Sequence, residues 1–132
     1  MRSADTRRIA VVGAGIGGLT LAIALRRHGI EVDIYEQTAE LREVGAAVAL
    51  SANATRFFEQ FGLMPQLASR WFEVAALIYR DGRSGRVIGN HHVGAAYRQR
   101  FGAPYVGIHR ADLQAILSGA VGLDRIRLRK RL

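Results

Sequence analysis

An α/β fold with a parallel sheet is predicted for this 132-residue chain by four neighbouring segments. Residues 8–12 (RIAVV) are a short β-branched apolar run, typical of a strand that is buried on both faces. Residues 13–18 (GAGIGG) match the pattern GxGxxG. Residues 18–29 are helix formers, mostly apolar, that close with arginines and a glycine. Residues 31–36 (EVDIYE) predict the next strand, so about 30 residues make one strand–turn–helix–strand unit.

The uncharged run between Arg8 and Arg26 allows two other interpretations. Arginines before an uncharged run are typical of a secretory signal, and the spacing of Gly13 and Gly17 is that of packed membrane helices. However, the run of about 17 uncharged residues is at the lower limit for a membrane span. Four glycines within six positions also disfavour an unsupported helix. We therefore favour a strand–turn–helix and expect no membrane association.

The glycine-rich turn has the features of a dinucleotide site. Gly13 permits the sharp turn, Gly15 leaves the backbone open to a pyrophosphate, and Gly18 lets the helix pack closely on the strand. The helix N-terminus offers N–H groups and a partial positive charge to the phosphates. Glu36 ends the second strand, where its carboxylate can accept hydrogen bonds from ribose hydroxyls and repels a 2′-phosphate. The pattern therefore predicts FAD or NAD rather than NADP, whereas Asp33 is expected to be a solvated strand position.

The remaining segments depart from the regular strand–helix alternation of a plain NAD domain. The predicted elements are a strand at 46–50, a helix from Ser51 or Asn53 to about Phe61, a hairpin over 74–92 turning at Asp81-Gly82 or Ser84-Gly85, a short strand followed by a helix from about Arg110 to Gly119 or Gly122, and an alternating strand at the C-terminal RIRLRKRL.

Composition excludes several classes of function. The chain has no cysteine, so disulfides, thiolate metal sites and cysteine nucleophiles are excluded. The four histidines lack metal-ligand spacing, and we expect no metal. The net charge of +8 and the C-terminal arginines raise the alternative of a nucleic-acid-binding module, because alternate arginines would share one strand face. Aromatic residues are absent from that run and such runs are usually solvated, so no nucleic-acid partner is expected.

Four segments, in order, resemble the class A FAD-dependent monooxygenases, the aromatic-ring hydroxylases typified by salicylate and hydroxybenzoate hydroxylases. They are VVGAGIGGLTLAIALRRHGIEVDIYEQ, LREVGAAVALSANATRFFEQFGL, RDGRSGRVI and VGIHRADLQAIL. The resemblance covers essentially the whole chain, and the second and fourth segments are the more specific. It implies a Rossmann-like FAD-binding fold of the GR2 type, incomplete here, with an inserted β-hairpin and helix segment. Residues 1–132 would form the N-terminal part of the FAD-binding domain, with about 45–105 approaching the substrate-domain side.

The resemblance also implies a cofactor, a reaction and a set of contacts. The implied FAD-binding residues are Gly13, Gly15, Gly18, Glu36, Gln37, Arg42, Ala47 and Arg110. The implied enzyme is a cytoplasmic flavoprotein that hydroxylates a small aromatic, phenol- or benzoate-like substrate with O2 and NADH or NADPH, and a homodimer is compatible with it. Another flavoprotein of the same fold, such as a halogenase or an amine oxidase, stays as the alternative.

Two observations predict that this chain is the N-terminal portion of a longer enzyme. The later GADG-type and GD-type motifs of the family are absent, and no catalytic acid–base or nucleophile–base constellation is visible. Only two other strands, 31–36 and about 125–131, are available to the sheet of residues 8–12, which would leave that apolar strand at an edge. We therefore expect the 132 residues alone to be catalytically inactive.

Overall fold

The computed structural model describes residues 8–41 and 45–132. They form two compact units, one built from the chain up to residue 45 together with 110–132, the other from residues 46–109. The boundaries of the second unit lie close to the segment 45–105 that the sequence analysis singled out. The assignment of that segment to the substrate side stays a prediction.

The first unit is a parallel three-stranded sheet with two helices. Its elements are β1 (Arg8–Val12), α1 (Ile16–Arg27), β2 (Glu31–Tyr35), α5 (Arg110–Val121), a 3₁₀ turn (Leu123–Arg125) and β8 (Ile126–Arg127). The strand order is β1-β2-β8, with Val11 beside Ile34 and Ile34 beside Ile126. This confirms the predicted α/β class and the strand–turn–helix–strand unit, although α1 begins two residues earlier than predicted.

The core of the first unit lies between the sheet and its helices. The buried apolar side chains are Val11, Ala14, Leu19, Ala22, Ile23, Val32, Ile34, Leu113, Leu117, Val121 and Ile126. Helix α1 packs against β1, β2 and α5. The helix is capped at His28 and followed by Gly29, whose φ of +74° favours glycine, and the N–H of Ile30 donates to the Leu25 carbonyl.

The membrane-helix interpretation of residues 8–27 is wrong, since these residues form a strand and then a separate helix. Within residues 8–41 and 45–132, every helix is too short or too polar to span a lipid bilayer.

Strand β1 is the edge of its sheet, as the count of available strands predicted. The prediction that both of its faces are buried is wrong. Val11 is buried towards α1, but Val12 is 67% exposed and Arg8 and Ala10 are also exposed. Only one face of β1 therefore contributes to the core.

Asp33 corrects the expectation of a solvated strand position. Its side chain is buried and accepts from Arg8, at 2.9 Å from Nε and 2.7 Å from Nη2. Arg127 of β8 approaches the other carboxylate oxygen at 3.5 Å. An unpaired buried charge is costly, and the two arginines offset this cost for Asp33. Their side chains also connect all three strands on the sheet face that lies away from α1.

The predicted C-terminal strand is also much shorter than expected. Strand β8 comprises only Ile126–Arg127, and Arg129 has a left-handed φ of +56° that ends the extended backbone. The arginines of this run therefore do not share one strand face, and Arg125 pairs with Glu31 while Arg127 pairs with Asp33. The geometry on which the nucleic-acid alternative depended is not formed.

The second unit contains an antiparallel sheet, a hairpin and three helices. Its elements are β3 (Ala47–Leu50), α2 (Ala52–Gln60), α3 (Met64–Ala68), β4 (Phe72–Glu73), β5 (Ala76–Arg80), β6 (Val87–His92), α4 (Ala95–Phe101) and β7 (Val106–His109). The sheet order is β3-β7-β4, and β5 pairs with β6. The strand at 46–50, the helix after Ser51 and the hairpin are confirmed, whereas α3, β4 and α4 were not predicted.

Packing in the second unit depends on close contacts at β7. The Phe72 ring lies over Gly107, where an added Cβ would be 2.2 Å from the ring. Thr55 of α2 is fully buried, and its hydroxyl donates to the Pro104 carbonyl at 2.9 Å. The hairpin turn is fixed by the Asp81 carboxylate, which accepts from the N–H and the hydroxyl of Ser84, each at 2.7 Å.

Candidate functional site

The glycine-rich turn connects β1 to α1 at the carboxyl end of the strand. Gly13 has a φ of +94°, a conformation that favours glycine, and its N–H donates to the Tyr35 carbonyl of β2 at 2.8 Å. Gly15 is the N-cap of α1 in extended backbone, and an added Cβ there would meet no atom within 4 Å. The turn is thus fixed to the sheet at Gly13 and open on its outer side at Gly15.

Gly18 has the packing role that the sequence predicted. A Cβ at this position would be 2.0 Å from the Gly13 carbonyl oxygen and 3.3 Å from Cγ1 of Val11. Because real Cβ atoms do not approach a backbone oxygen so closely, only glycine lets α1 lie this near the turn. The close approach brings the N-terminus of the helix directly beside the turn.

The N-terminus of α1 is suited to an anion. The first N–H groups of a helix have no intrahelical partner, and they carry a partial positive charge. The first turn of α1 contains no acidic side chain and Gly15 offers no side-chain cap. The open side of Gly15 therefore faces a region where a phosphate can approach backbone N–H groups.

Glu36 lies immediately after β2 and contacts the same turn. One carboxylate oxygen accepts from the Ala14 N–H at 2.8 Å and the other accepts from the Thr38 N–H at 2.9 Å. These N–H groups, Thr38 first and then Ala14, lower the pKa of Glu36 from its ordinary 4.5. An ionised carboxylate has about four lone-pair sites, so both oxygens can still accept from a ribose diol.

A cleft of about 180 Å³ opens beside Glu36. Its lining residues are Val12, Gly13, Tyr35, Glu36, Gln37, Lys130 and Leu132. The C-terminal segment, which contributes Lys130 and Leu132 to the cleft, is held beside the end of β2 by two backbone hydrogen bonds. The Glu36 N–H donates to the Arg127 carbonyl at 2.9 Å, and the Lys130 N–H donates to the Glu36 carbonyl at 2.8 Å. The cleft thus joins the glycine turn to the acid that follows β2, in the arrangement that the adenosine half of a dinucleotide requires.

Five predicted residues lie at this place, including Gly18, which packs against the Gly13 carbonyl. Gly13, Glu36 and Gln37 line the cleft, and Gly15 lies at the adjoining helix start. Arg110 is an exposed residue at the start of α5, in the same unit. Ala47 belongs to the second unit, where it is exposed and pairs with His109. Arg42 lies outside the described residues, and the cofactor roles of all these residues stay predictions.

Sequence reasoning missed two residues that shape the turn. Ala14 is fully buried, and its N–H donates a hydrogen bond to the Glu36 carboxylate. Gln114 of α5 is also buried, and its side-chain amide donates to the Ala14 carbonyl at 3.0 Å. The two residues are 100 positions apart, so no local spacing could have signalled the contact. Within the described residues, no group of three or more metal-ligating side chains occurs.

The Glu36 contacts predict a pH dependence of stability. Because its pKa is lowered in the folded state, its contribution is present above the ordinary value of 4.5 and is lost as the pH falls through the folded-state pKa. We expect Glu36→Gln to reduce the free energy of unfolding by about 1 kcal/mol at pH 7, since the amide accepts only on its carbonyl oxygen.

The measurement is urea unfolding of both proteins between pH 7 and pH 3. Asp81 also has a lowered pKa but is common to both proteins, so the difference between them isolates Glu36. That difference should shrink below pH 4.5, and a difference independent of pH would contradict the assignment.

Known proteins share the fold and much of the sequence of this chain. The family described as "NAD(P)-binding Rossmann-like domain" matches residues 11–45. The chain is 39% identical over 85% of its length to 3-hydroxybenzoate 6-hydroxylase of Polaromonas naphthalenivorans, and 41% identical over 83% to 3-amino-4-hydroxybenzoate 2-monooxygenase PtnB3 of Streptomyces platensis. It superposes over 98% of its length, with a TM-score of 0.81 and 29% identity, on Klebsiella pneumoniae HpxO complexed with FAD and uric acid.

The matched part corresponds to the N-terminal portion of these proteins. The chain spans 28% of the length of each of the two relatives and 32% of the HpxO chain. The predicted fold and the predicted resemblance are both confirmed.

Proposed function

We propose that the first unit of this chain binds the adenosine diphosphate half of FAD. The premise is that the chain is a relative of the FAD-dependent aromatic hydroxylases and corresponds to their N-terminal portion. The observation that carries the proposal is the joint position of the glycine turn and Glu36. The carboxylate is fixed by the turn's own Ala14 N–H, and it lies in the cleft that Gly13 also lines.

Each residue of the site has a distinct role in the proposal. The N–H groups at the start of α1, beside the open side of Gly15, bind the pyrophosphate. Glu36 accepts from the ribose hydroxyls, and its negative charge disfavours a 2′-phosphate. Gln37 borders the ribose cleft, while Arg110, Arg42 and Ala47 are proposed as further contacts to FAD. The redox chemistry belongs to the bound flavin, and these residues supply its placement.

The whole-protein activity is the second part of the proposal. The relatives named above are hydroxylases and monooxygenases of hydroxybenzoates. We accordingly propose hydroxylation of a small phenol- or benzoate-like ring with O2 and NADH or NADPH, in the cytoplasm, by an enzyme that forms homodimers. Residues 45–105 are proposed to approach the substrate side. The hydroxylase names of the relatives favour this reaction over a halogenase or an amine oxidase.

The test is calorimetric titration of the 132-residue chain with FAD, ADP and adenosine 2′,5′-bisphosphate. The proposal expects FAD and ADP to bind, and the 2′-phosphorylated nucleotide to bind at least about tenfold more weakly because of Glu36. Equal binding of the 2′-phosphate, or no binding of FAD or ADP, would overturn it.

A further inference from the structure

Gln114 is a buried polar side chain on the largely apolar buried face of α5, which also contains Ser118. It is 7% exposed, and its helix neighbours Leu113, Leu117 and Val121 are buried hydrophobic residues. Burying an amide costs free energy unless it is hydrogen-bonded. Here the side-chain NH2 donates to the carbonyl oxygen of Ala14, inside the glycine turn, at 3.0 Å. The hydrogen bond to the turn therefore offsets the cost of burying the amide at this position.

The contact fixes the orientation of one peptide group. In a planar trans peptide, the carbonyl and the following N–H point in opposite directions. Because the Ala14 carbonyl is directed at Gln114, the Gly15 N–H of the same peptide points away from α5. The preceding peptide is fixed as well, because the Ala14 N–H donates to Glu36 at 2.8 Å. Ala14 is thereby held from both sides, by β2 through Glu36 and by α5 through Gln114.

We propose that Gln114 is a positioning residue for the pyrophosphate turn, directing the Gly15 N–H towards the phosphates without touching the cofactor itself. The inference rests on the proposed function in so far as it concerns FAD. Its structural part concerns the turn alone, and it can be measured without any cofactor.

The first experiment compares Gln114→Met with Ser118→Ala. Methionine preserves the length of the side chain and removes the donor. Ser118 is a buried residue of the same helix whose hydroxyl donates to Ala115 and not to the turn, so it controls for the loss of a buried hydrogen bond in α5. We expect Gln114→Met to weaken FAD binding about tenfold, the effect of losing one hydrogen bond, and Ser118→Ala to leave the affinity unchanged.

The second measurement is amide hydrogen exchange without FAD. Exchange of the Gly13 and Ala14 N–H groups, which donate to Tyr35 and Glu36, should accelerate at least about fivefold in Gln114→Met and not in Ser118→Ala, since Ala14 loses one of its two restraints. Unchanged exchange would overturn the inference even where wild-type protein binds FAD. Accelerated exchange in a protein that fails to bind FAD would support the positioning of the turn and overturn the proposed function.

The third measurement uses Gln114→Glu, which restores a donor only when the carboxyl is protonated. The charged groups that the contacts place on this part of the unit are Glu36, which accepts from the same alanine, and Arg110, one turn earlier on α5. Arg26 of α1 donates to the Val121 carbonyl, about two turns further along α5. The lowered pKa of Glu36 keeps its carboxylate ionised between pH 8 and pH 5. The affinity of Gln114→Glu for FAD, relative to wild type, should rise as the pH falls through this range. The same ratio for Gln114→Met should stay constant, and parallel profiles for both variants would overturn the proposal.

Discussion

Gly18→Ala is expected to lower the free energy of unfolding by about 3 kcal/mol, the upper part of the range for overpacking a core. The new Cβ would lie 2.0 Å from the carbonyl oxygen of Gly13. That oxygen belongs to the backbone of the turn, and the turn is tied to the sheet by the hydrogen bond from Gly13 to Tyr35. The clash therefore cannot be relieved by a side-chain rotation, and α1 must move away from β1. Urea unfolding followed by circular dichroism measures the effect.

Gly17→Ala is the matched control. Gly17 lies in the same first turn of α1, is exposed, and would place a Cβ with no atom within 4 Å. Alanine is the better helix former, so this variant should be more stable than wild type by up to about 1 kcal/mol. Equal destabilisation by the two substitutions would show that the contact with Gly13 is not what requires glycine at position 18.

Gly15→Val is expected to abolish measurable FAD binding, a loss of at least about 100-fold, while leaving the stability nearly unchanged. Gly15 has φ −73° and ψ 176°, extended backbone that valine adopts readily. Its Cβ would point into open space, so the fold has no reason to exclude it. The side chain would instead occupy the volume through which a pyrophosphate reaches the N-terminus of α1. Fluorescence titration of FAD and thermal unfolding measure the two effects separately.

Gly119→Ala is the control for binding. Gly119 is an exposed residue of α5, and its added Cβ would also meet no atom within 4 Å. This variant should bind FAD as wild type does. Wild-type affinity in Gly15→Val would contradict the placement of the pyrophosphate beside the turn, whereas a large loss of stability would mean that the turn itself does not tolerate the side chain.

The sequence predicted those features that depend on neighbouring residues. The turn, the helix start and Glu36 follow one another along 13–36, and their spacing is a local property. Burial of Asp33 could not be predicted, because its partners Arg8 and Arg127 come from the two flanking strands. The hydrogen bond of Gln114 could not be predicted for the same reason, since a glutamine on a buried helix face does not indicate which carbonyl it reaches.

The length of β8 was predicted wrongly for a different reason. Alternation of arginine with apolar residues over 125–132 is a period-2 pattern, and it predicts a strand wherever a partner strand is available. In the structure only Ile126–Arg127 pair with β2, and Arg129 and Lys130 instead donate to the carbonyls of Thr38 and Glu36. The backbone after β2 turns there to form the cleft, and a tertiary constraint overrides the pattern.

The order of β1, β2 and β8 has a consequence for how the chain folds. Ile34 pairs with Ile126, so the sheet of the first unit can be completed only after residues 46–109, which separate its two parts in the sequence, have been synthesised. Closing so long a loop is entropically costly and slow compared with forming the hairpin of β5 and β6. During synthesis on a ribosome, the glycine turn would emerge early. It would be fully ordered only later, when α5 has been synthesised and Gln114 can donate to the Ala14 carbonyl. A nascent chain stalled before residue 110 should therefore be protease-sensitive around the turn.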